Sequence, residues 1–132
     1  MKRYLLDTSA LLTLRDDEPG ADQVETLLQC VDGQCLGCFM SRMEVLYRVW
    51  KDEGELAGKL ALQQCLALPM QWIEYSDELL LQAAELKAGN SLSVADAWIA
   101  AAAMTQDAIL VHKDPEFASL PLPQTPLPFK ST

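Results

Sequence analysis

Short apolar segments alternate with longer segments of helical periodicity along this sequence of 132 residues. Four of the short segments have the length and the residue types of β-strands: 3–6, about 34–39, 71–75 and 108–112. A short edge strand is also expected near residues 127–130, in a proline-rich tail. Strands that alternate with helices predict a parallel sheet with helices on both faces. We therefore expect a three-layer α/β/α fold around a four- to five-stranded, mainly parallel sheet.

The length and the hydropathy of the chain indicate one domain that does not cross a membrane. The 132 residues match one ordinary domain, and 50% of them are hydrophobic, which is enough to form a core. No window reaches the ~18 apolar residues that a membrane span needs. The N-terminal segment reaches Asp7 after only two leucines, so we expect no signal peptide. The expectation is a single domain over residues 1–132 in the cytoplasm.

The chain is acidic, with a net charge of −9. This charge opposes a nucleic-acid-binding function, because contacts with phosphate groups need Lys and Arg. It agrees with a site that collects carboxylates around a cation, and also with a basic partner that covers an acidic surface. The net charge alone therefore leaves both kinds of function open.

Four carboxylates stand where an α/β fold places its functional groups. Asp7 ends the first predicted strand, and Asp114 lies just beyond the fourth. Glu44 and Asp96 each lie in the first turn of a predicted helix. Because strand ends and helix starts meet at one edge of such a sheet, the four acids can share a cation. Oxygen ligands with no nearby His or Cys favour Mg²⁺ or Mn²⁺ over zinc.

Each of these acids also has an ordinary structural interpretation. Glu44 and Asp96 follow Ser41 and Ser93 by three residues, which is the spacing of a capping box with the serine opening the helix. Asp7 also fits a helix N-cap, and Asp114, which precedes a proline, also fits a turn. The structural role and the cation-binding role are compatible, because one acid can serve both. Asp96 precedes the almost wholly apolar segment 97–104, and a carboxylate at the start of a buried helix needs a compensating charge.

The four cysteines give a weaker signal. Cys35 and Cys38 form a C-x-x-C pair, but no second pair of ligands has similar spacing, and the single histidine, His112, is far along the chain. A zinc site or a redox pair is therefore disfavoured. The favoured interpretation is that these cysteines are small core residues of a buried strand.

Four segments carry these acids in a recognisable order. They are Tyr4-Leu-Leu-Asp7-Thr-Ser-Ala, Ser41-Arg-Met-Glu44-Val-Leu-Tyr47, Leu92-Ser-Val-Ala-Asp96-Ala-Trp-Ile and Leu110-Val-His-Lys-Asp114-Pro-Glu-Phe117. The set resembles the PIN-domain family, in particular the VapC-type toxins of bacterial toxin–antitoxin pairs. The resemblance covers nearly the whole chain, and although each motif alone is modest, the set of four is specific.

The resemblance implies a metal-dependent endoribonuclease in which Asp7, Glu44, Asp96 and Asp114 hold Mg²⁺ or Mn²⁺ and water attacks the phosphodiester. It also implies a homodimer and a cognate antitoxin that blocks the site. In addition, Ser9 matches a small hydroxyl residue that often lies near the metal in the family.

One position departs from the family pattern. His112 stands where the family usually has Thr, Ser or Asn. Its imidazole has three alternatives: contact with the ion, proton donation, or packing with a local hydrogen bond, of which the last is favoured. Glu116 is a spare ligand in principle, although a solvated loop residue is the favoured interpretation.

An RNA substrate would need positive contacts in spite of the net charge. The cations proposed for this role are Arg15, Arg42 and Lys113, and Tyr47 or Trp50 could stack on a base. Two other functions stay open. The first is a PIN-like module that binds RNA or protein with weak catalysis. The second is a phosphoacceptor signalling domain, which is disfavoured because it would need adjacent acids after the first strand.

Overall fold

The computed structural model describes residues 2–129, which form five strands, six α-helices and one short 3-10 helix. The strands are β1 (Lys2–Leu6), β2 (Gly33–Cys38), β3 (Gln71–Ile73), β4 (Ile109–His112) and β5 (Gln124–Pro126). The α-helices are α1 (Thr8–Arg15), α2 (Ala21–Gln29), α3 (Phe39–Glu53), α4 (Glu55–Leu66), α5 (Asp77–Gly89) and α6 (Val94–Thr105). The 3-10 helix is Pro115–Phe117. Within residues 2–129, none of the helices has the length and apolarity to span a bilayer.

All strands of the sheet are parallel, in the order β3-β2-β1-β4-β5. Leu5 in the central strand lies opposite Leu36 on one side and Leu110 on the other. The chain builds outward from β1 through β2 to β3 and then crosses to β4 on the other side of β1. The predicted α/β class and the five-stranded parallel sheet are therefore confirmed, and the strand order reverses direction beside β1.

Two apolar cores lie on opposite faces of the sheet. Side chains alternate across a strand, so neighbouring residues such as Leu5 and Leu6 enter different cores. One core joins the sheet to α5 and α6, and the other joins it to α1, α2, α3 and α4. Each fully buried leucine contributes about 1.5–3 kcal/mol by leaving water. The segment 97–104 is largely buried in the first core, as its composition predicted.

The start of α3 differs from the prediction. The helix begins at Phe39, directly after β2, and its N-cap residue Cys38 makes no side-chain capping bond. Ser41 therefore lies inside the helix, and Glu44 lies in its second turn. The capping-box interpretation of this serine and this glutamate is wrong, because strand and helix join without the loop that a capping serine would occupy. At α6 the capping bond does form, from the Asp96 N–H to Ser93 Oγ.

The edge strand also lies earlier than predicted. β5 covers Gln124–Pro126, and Pro126 is paired with His112 at its end. Leu127 follows the strand and is 2% exposed, because its side chain completes the core beneath α1 and α2. Proline is tolerated in an edge strand, where a missing N–H costs no internal bond. Lys130, at the end of the predicted strand, lies outside the described residues.

The two cysteines of the C-x-x-C pair lie in different cores. Cys35 is buried against α2 and α3, and Cys38 is buried on the opposite face of the sheet. Burial raises the pKa of the Cys35 thiol to about 11 and that of Cys38 to about 12. Both residues are free thiols that act as small core residues, which confirms the favoured interpretation.

Candidate metal centre

Two neighbouring strands of the sheet end at the candidate site. Asp7 directly follows β1, and Asp114 lies two residues after the end of β4. The N–H of Asp7 donates a hydrogen bond to the carbonyl oxygen of Val111, 3.1 Å away. The two acids therefore stand where the strand order reverses, and α/β folds open a crevice for ligands at that point.

The Asp7 carboxylate is fixed by its own helix. It is 2% exposed and caps α1, with Oδ1 accepting the Ala10 N–H at 2.8 Å. Ser9 Oγ lies 2.7 and 2.8 Å from its two oxygens and accepts the Lys113 N–H at 2.9 Å. Burial raises the pKa of Asp7 to about 7 in spite of the bonds from Ser9 and Ala10, and the charge of Asp114 acts in the same direction as burial. The capping interpretation of Asp7 is confirmed, and Ser9 links this acid to the chain after β4.

Asp96, Asp114 and Glu116 form the tightest group of acids in the described part of the chain. One oxygen from each lies within 4.8 Å of the others. Asp114 caps the 3-10 helix, and its Oδ1 accepts the Glu116 N–H at 2.9 Å. Burial raises the pKa of the Asp96 carboxyl to about 9, and its hydrogen bonds with Asp114 and Glu116, together with their charges, add to the rise. These three residues are the acidic cluster.

The acidic cluster and Asp7 fit a divalent cation. Asp7 and Asp96 are buried, and within residues 2–129 neither they nor Asp114 and Glu116 take part in a salt bridge. Like charges held this close repel each other, and this repulsion adds to burial in raising the pKa of the Asp96 carboxyl. All of the donors are carboxylate oxygens, the ligands that Mg²⁺ and Mn²⁺ favour. A cation would remove the repulsion that the protein side chains leave uncompensated.

Glu44 lies near Asp7, but its carboxylate is paired with other protein side chains. It is 6% exposed, its Oε1 lies 2.6 Å from Thr8 Oγ1, and its Oε2 lies 3.0 Å from Arg48 Nη2. Thr8 Oγ1 is also 3.0 Å from Ser41 Oγ. Thr8 has one hydroxyl proton, so it donates to Glu44 and accepts from Ser41. Glu44 therefore has protein partners on both oxygens, and one of them is the positively charged Arg48.

His112 is directed away from a ligand role by its own contacts. Its side chain is buried, and its ring packs edge-on against Phe117 with the ring centroids 5.0 Å apart. Nδ1 accepts the N–H of Asp114 at 3.0 Å, and Nε2 lies 2.8 Å from Gln124 Oε1. Both ring nitrogens are occupied by the protein. The packing and local hydrogen bonding predicted for this residue are confirmed.

A comparison with protein-family models adds an independent observation. The PIN domain model matches residues 4–122, and this range contains every acid described above. The chain belongs to the PIN domain family. No curated protein gives a match to this sequence.

Solved structures of bacterial toxin–antitoxin systems share the fold of this PIN domain. VapBC2 from Rickettsia felis, bound to a DNA fragment from its promoter, gives a TM-score of 0.78 at 19% identity, with 96% of this chain and 99% of that chain covered. VapBC-1 from nontypeable Haemophilus influenzae gives 0.73 at 19% identity, covering 94% and 97%. VapC20 from Mycobacterium tuberculosis, described as a sarcin-ricin loop cleaving toxin, gives 0.72 at 15% identity, covering 90% and 95%.

The cations suggested for RNA contact are paired with acids in this PIN domain. Arg15 bonds Asp16 and Glu53, and Arg42 pairs with Glu74 while lying 5.3 Å from the centroid of the Trp72 ring. The Lys113 side chain is 10% exposed, and its Nζ donates to the Pro19 carbonyl at 2.8 Å and lies 3.4 Å from Glu18 Oε1. Their role in RNA binding stays a prediction, and each would have to exchange a protein partner for a phosphate.

Glu116 is the site residue that the sequence interpretation underrated. It lies beside Asp96 and Asp114 because Pro115 begins a 3-10 helix directly after Asp114. Proline at the first helical position is itself a signal, since its fixed backbone angle suits a helix start. The Asp114-Pro-Glu116 sequence therefore contained the signal that both acids share one short turn.

Proposed function

We propose that this PIN domain is a metal-dependent endoribonuclease, a hydrolase that cuts phosphodiester bonds of single-stranded or structured RNA. The observation that carries the proposal is the acidic cluster, together with Asp7, at the edge where β1 and β4 end. In the proposal, Asp7, Asp96, Asp114 and Glu116 hold Mg²⁺ or Mn²⁺. Glu44 is the adjacent predicted ligand, and it joins them when it exchanges Arg48 or Thr8 for the ion.

The surrounding residues hold these carboxylates ready. Ser9 and Ala10 fix both oxygens of Asp7, and Ser93 fixes the helix turn that carries Asp96. The cation, when bound, supplies positive charge for phosphate oxygens and lowers the pKa of water. Buried carboxylates on rigid helix starts lose little freedom on binding an ion, and such preorganisation is the usual basis of catalytic sites.

We also propose that the protein is the toxin of a toxin–antitoxin pair, and that it forms a homodimer. The support for the toxin role is the likeness to VapBC structures over nearly the whole length of both chains, and the description of the Mycobacterium tuberculosis relative as a sarcin-ricin loop cleaving toxin. An apolar cavity of about 170 Å³, lined mainly by leucines of α1 and by Val45 and Leu68, offers a place for an apolar side chain of the antitoxin. The net charge of −9 favours a basic antitoxin segment.

Cleavage of a mixed-sequence RNA pool tests the enzymatic proposal. Purified protein, separated from any co-expressed antitoxin, is assayed with Mn²⁺ or Mg²⁺ against EDTA. We expect cleavage that requires the metal and falls by at least about 100-fold in Asp96→Asn, because the amide keeps the helix start but removes a charged ligand. Asp22→Asn is the matched control, since Asp22 is an exposed acid in the first turn of α2.

The outcomes distinguish the proposed endoribonuclease from the alternative, a binding module. Metal-dependent cleavage that is lost in Asp96→Asn and kept in Asp22→Asn supports the endoribonuclease. Absence of cleavage by folded protein that binds RNA favours instead the module that binds RNA without useful catalysis. The pairing of both Glu44 oxygens with Thr8 and Arg48 is the observation in favour of that second function.

A further inference from the structure

A partly buried network joins the end of β4, the 3-10 helix and β5. Its centre is His112, whose Nδ1 accepts the Asp114 N–H at 3.0 Å and whose Nε2 lies 2.8 Å from Gln124 Oε1. The Gln124 amide nitrogen in turn donates to the carbonyl oxygens of Phe117, at 2.7 Å, and Leu120, at 3.2 Å. One histidine and one glutamine thus contact the chain on both sides of the segment that carries Asp114 and Glu116.

The donors and acceptors of this network fit in only one arrangement. Because Nδ1 of His112 accepts an N–H, the ring carries its proton on Nε2 and donates it to Gln124 Oε1. That bond fixes which end of the Gln124 amide is the nitrogen, and both of its protons then reach main-chain carbonyls. Every polar side-chain group of the pair has a partner. A network that is fully satisfied in this way is rigid and directional.

The rigid network holds a segment whose carboxylates repel each other. Asp114 and Glu116 are held close to Asp96, with ligand oxygens within 4.8 Å, although all three are acids. Without an anchor, the short 3-10 helix could relieve this repulsion by moving outward, since Glu116 is exposed. The network opposes that movement through the backbone of Asp114 and through two carbonyls farther along the segment.

We infer that His112 and Gln124 are positioning residues that hold Asp114 and Glu116 at the spacing a divalent cation requires. The inference rests on the proposed function, because it takes the acidic cluster to be the metal site. Neither residue is a ligand or touches the substrate. Residues that orient metal ligands typically change metal affinity by about 10–100-fold when they are replaced.

Two substitutions of His112 separate its bond to Asp114 from its bond to Gln124. In His112→Asn, the amide oxygen takes the place of Nδ1 and can still accept the Asp114 N–H, while the bond to Gln124 is lost. In His112→Gln, the longer side chain can reach Gln124 but has no acceptor at the Nδ1 position. Both variants lose one buried hydrogen bond and the ring, so similar losses of thermal stability are expected. Gln124→Met is a third variant, which keeps His112 and removes the bonds to the two carbonyls.

The experiment measures Mn²⁺ affinity by calorimetry and thermal stability in EDTA for the full chain and each variant. We expect Mn²⁺ affinity within about threefold of the wild type in His112→Asn, but at least about tenfold weaker in His112→Gln and in Gln124→Met. Asp96→Asn supplies the reference for complete loss of the site. The difference between the two His112 variants at similar stability is the result that a purely structural role would not produce.

Three results would count against the inference. Wild-type affinity in all three variants overturns it while the metal site stands. Equal weakening in His112→Asn and His112→Gln, in proportion to their loss of stability, assigns the network a purely structural role. Failure of the wild-type protein to bind Mn²⁺ through Asp96 overturns the proposed metal site and this inference together.

Discussion

Arg48 lies one helical turn after Glu44 on α3, and its Nη2 is 3.0 Å from Glu44 Oε2. This contact places the positive charge of the arginine beside the acids that are proposed to bind a metal ion. The glutamate is buried while the Arg48 side chain is 42% exposed, so the pair joins the interior of the site to its rim. An arginine in this place competes with a divalent cation in two ways. It occupies an oxygen of Glu44, and it repels positive charge.

Removal of this arginine is predicted to strengthen metal binding. In Arg48→Met the apolar part of the side chain is kept and the charge is lost, so we expect Mn²⁺ affinity to rise by about three- to tenfold, as measured by calorimetry at moderate ionic strength. Arg15→Met is the matched control, because Arg15 is also paired with glutamate but is bound to Glu53. Unchanged or weaker Mn²⁺ binding in Arg48→Met would contradict the prediction.

The stability of the metal-free protein is predicted to fall as pH rises. In the folded protein the pKa values of Asp7 and Asp96 are raised above the ordinary aspartate value of 3.8, to about 7 and about 9. Between the unfolded and folded pKa values the folded protein binds more protons, so the free energy of unfolding decreases by about 1.4 kcal/mol per pH unit for each group. For Asp7 the loss runs from about pH 4 to pH 7, and for Asp96 it continues above pH 7.

Urea unfolding in EDTA at a series of pH values measures this slope. Asp96→Asn removes one titrating group, so its stability should exceed that of the wild type by the largest margin at pH 8 and by little at pH 4. Asp22→Asn should leave the slope unchanged, because Asp22 is an exposed acid of α2. A wild-type protein whose stability rises between pH 5 and pH 8 in EDTA would refute the raised pKa values.

Two threonines of α1 are predicted to respond oppositely to the same substitution. Thr8 Oγ1 bonds Glu44 Oε1 and Ser41 Oγ, so Thr8→Val removes the Thr8 partner of both of these buried oxygens and should cost about 1–3 kcal/mol of stability. Thr13 is buried, and its Oγ1 has no hydrogen-bond partner within residues 2–129. Thr13→Val should therefore be neutral or stabilising, since it replaces an unsatisfied hydroxyl with a methyl group.

Chemical denaturation of the two valine variants tests this contrast. The side-chain volumes match in both cases, so packing differences are small and the hydrogen bonds determine the sign. Comparable destabilisation of both variants would contradict the prediction, because it would mean that replacing the hydroxyl costs the same whether or not it has hydrogen-bond partners.

Two helical glycines are predicted to differ because only one lies at a helix contact. A Cβ at Gly58 would lie 2.8 Å from the Leu46 carbonyl oxygen and 2.8 Å from Trp50 Cβ, where α4 packs on α3. Gly58→Ala should therefore destabilise the protein by about 1–3 kcal/mol through overpacking. Gly89 ends α5 in open space, and Gly89→Ala should be neutral or stabilise by up to about 1 kcal/mol.

Thermal unfolding of the two alanine variants gives the measurement. A large loss of melting temperature in Gly58→Ala alone fits close packing of the two helices. A similar melting temperature for both variants would mean that α3 and α4 can separate to admit a methyl group.

The sequence predicted the fold well where the hydrophobic periodicity and the turn and capping residues agree. The alternation of strands and helices identified the sheet, and the apolar segment 97–104 identified the buried helix α6. It failed at α3, where Ser41 has the spacing of a cap but β2 runs directly into the helix. Whether a serine caps a helix depends on where the chain turns, and tertiary packing set that position.

The candidate site could be predicted only in part, for a related reason. The acids at strand ends and helix starts follow from topology, so Asp7, Asp96 and Asp114 could be named before their distances were known. The partners of each acid depend on side-chain positions that spacing does not give. Glu44 bonds Thr8, which is 36 positions away along the chain, and no local pattern connects the two. Glu116 was underrated because its neighbour Asp96 lies on a different element.

The order of strands in the sheet has a consequence for the newly made chain. Asp7 leaves the ribosome about a hundred residues before β4, which pairs with β1 and leads to Asp114. Contacts between such distant parts of a chain form slowly and late in folding. A chain whose synthesis stops before β4 therefore lacks Asp114 and Glu116, and the proposed metal site cannot form until both acids have been made.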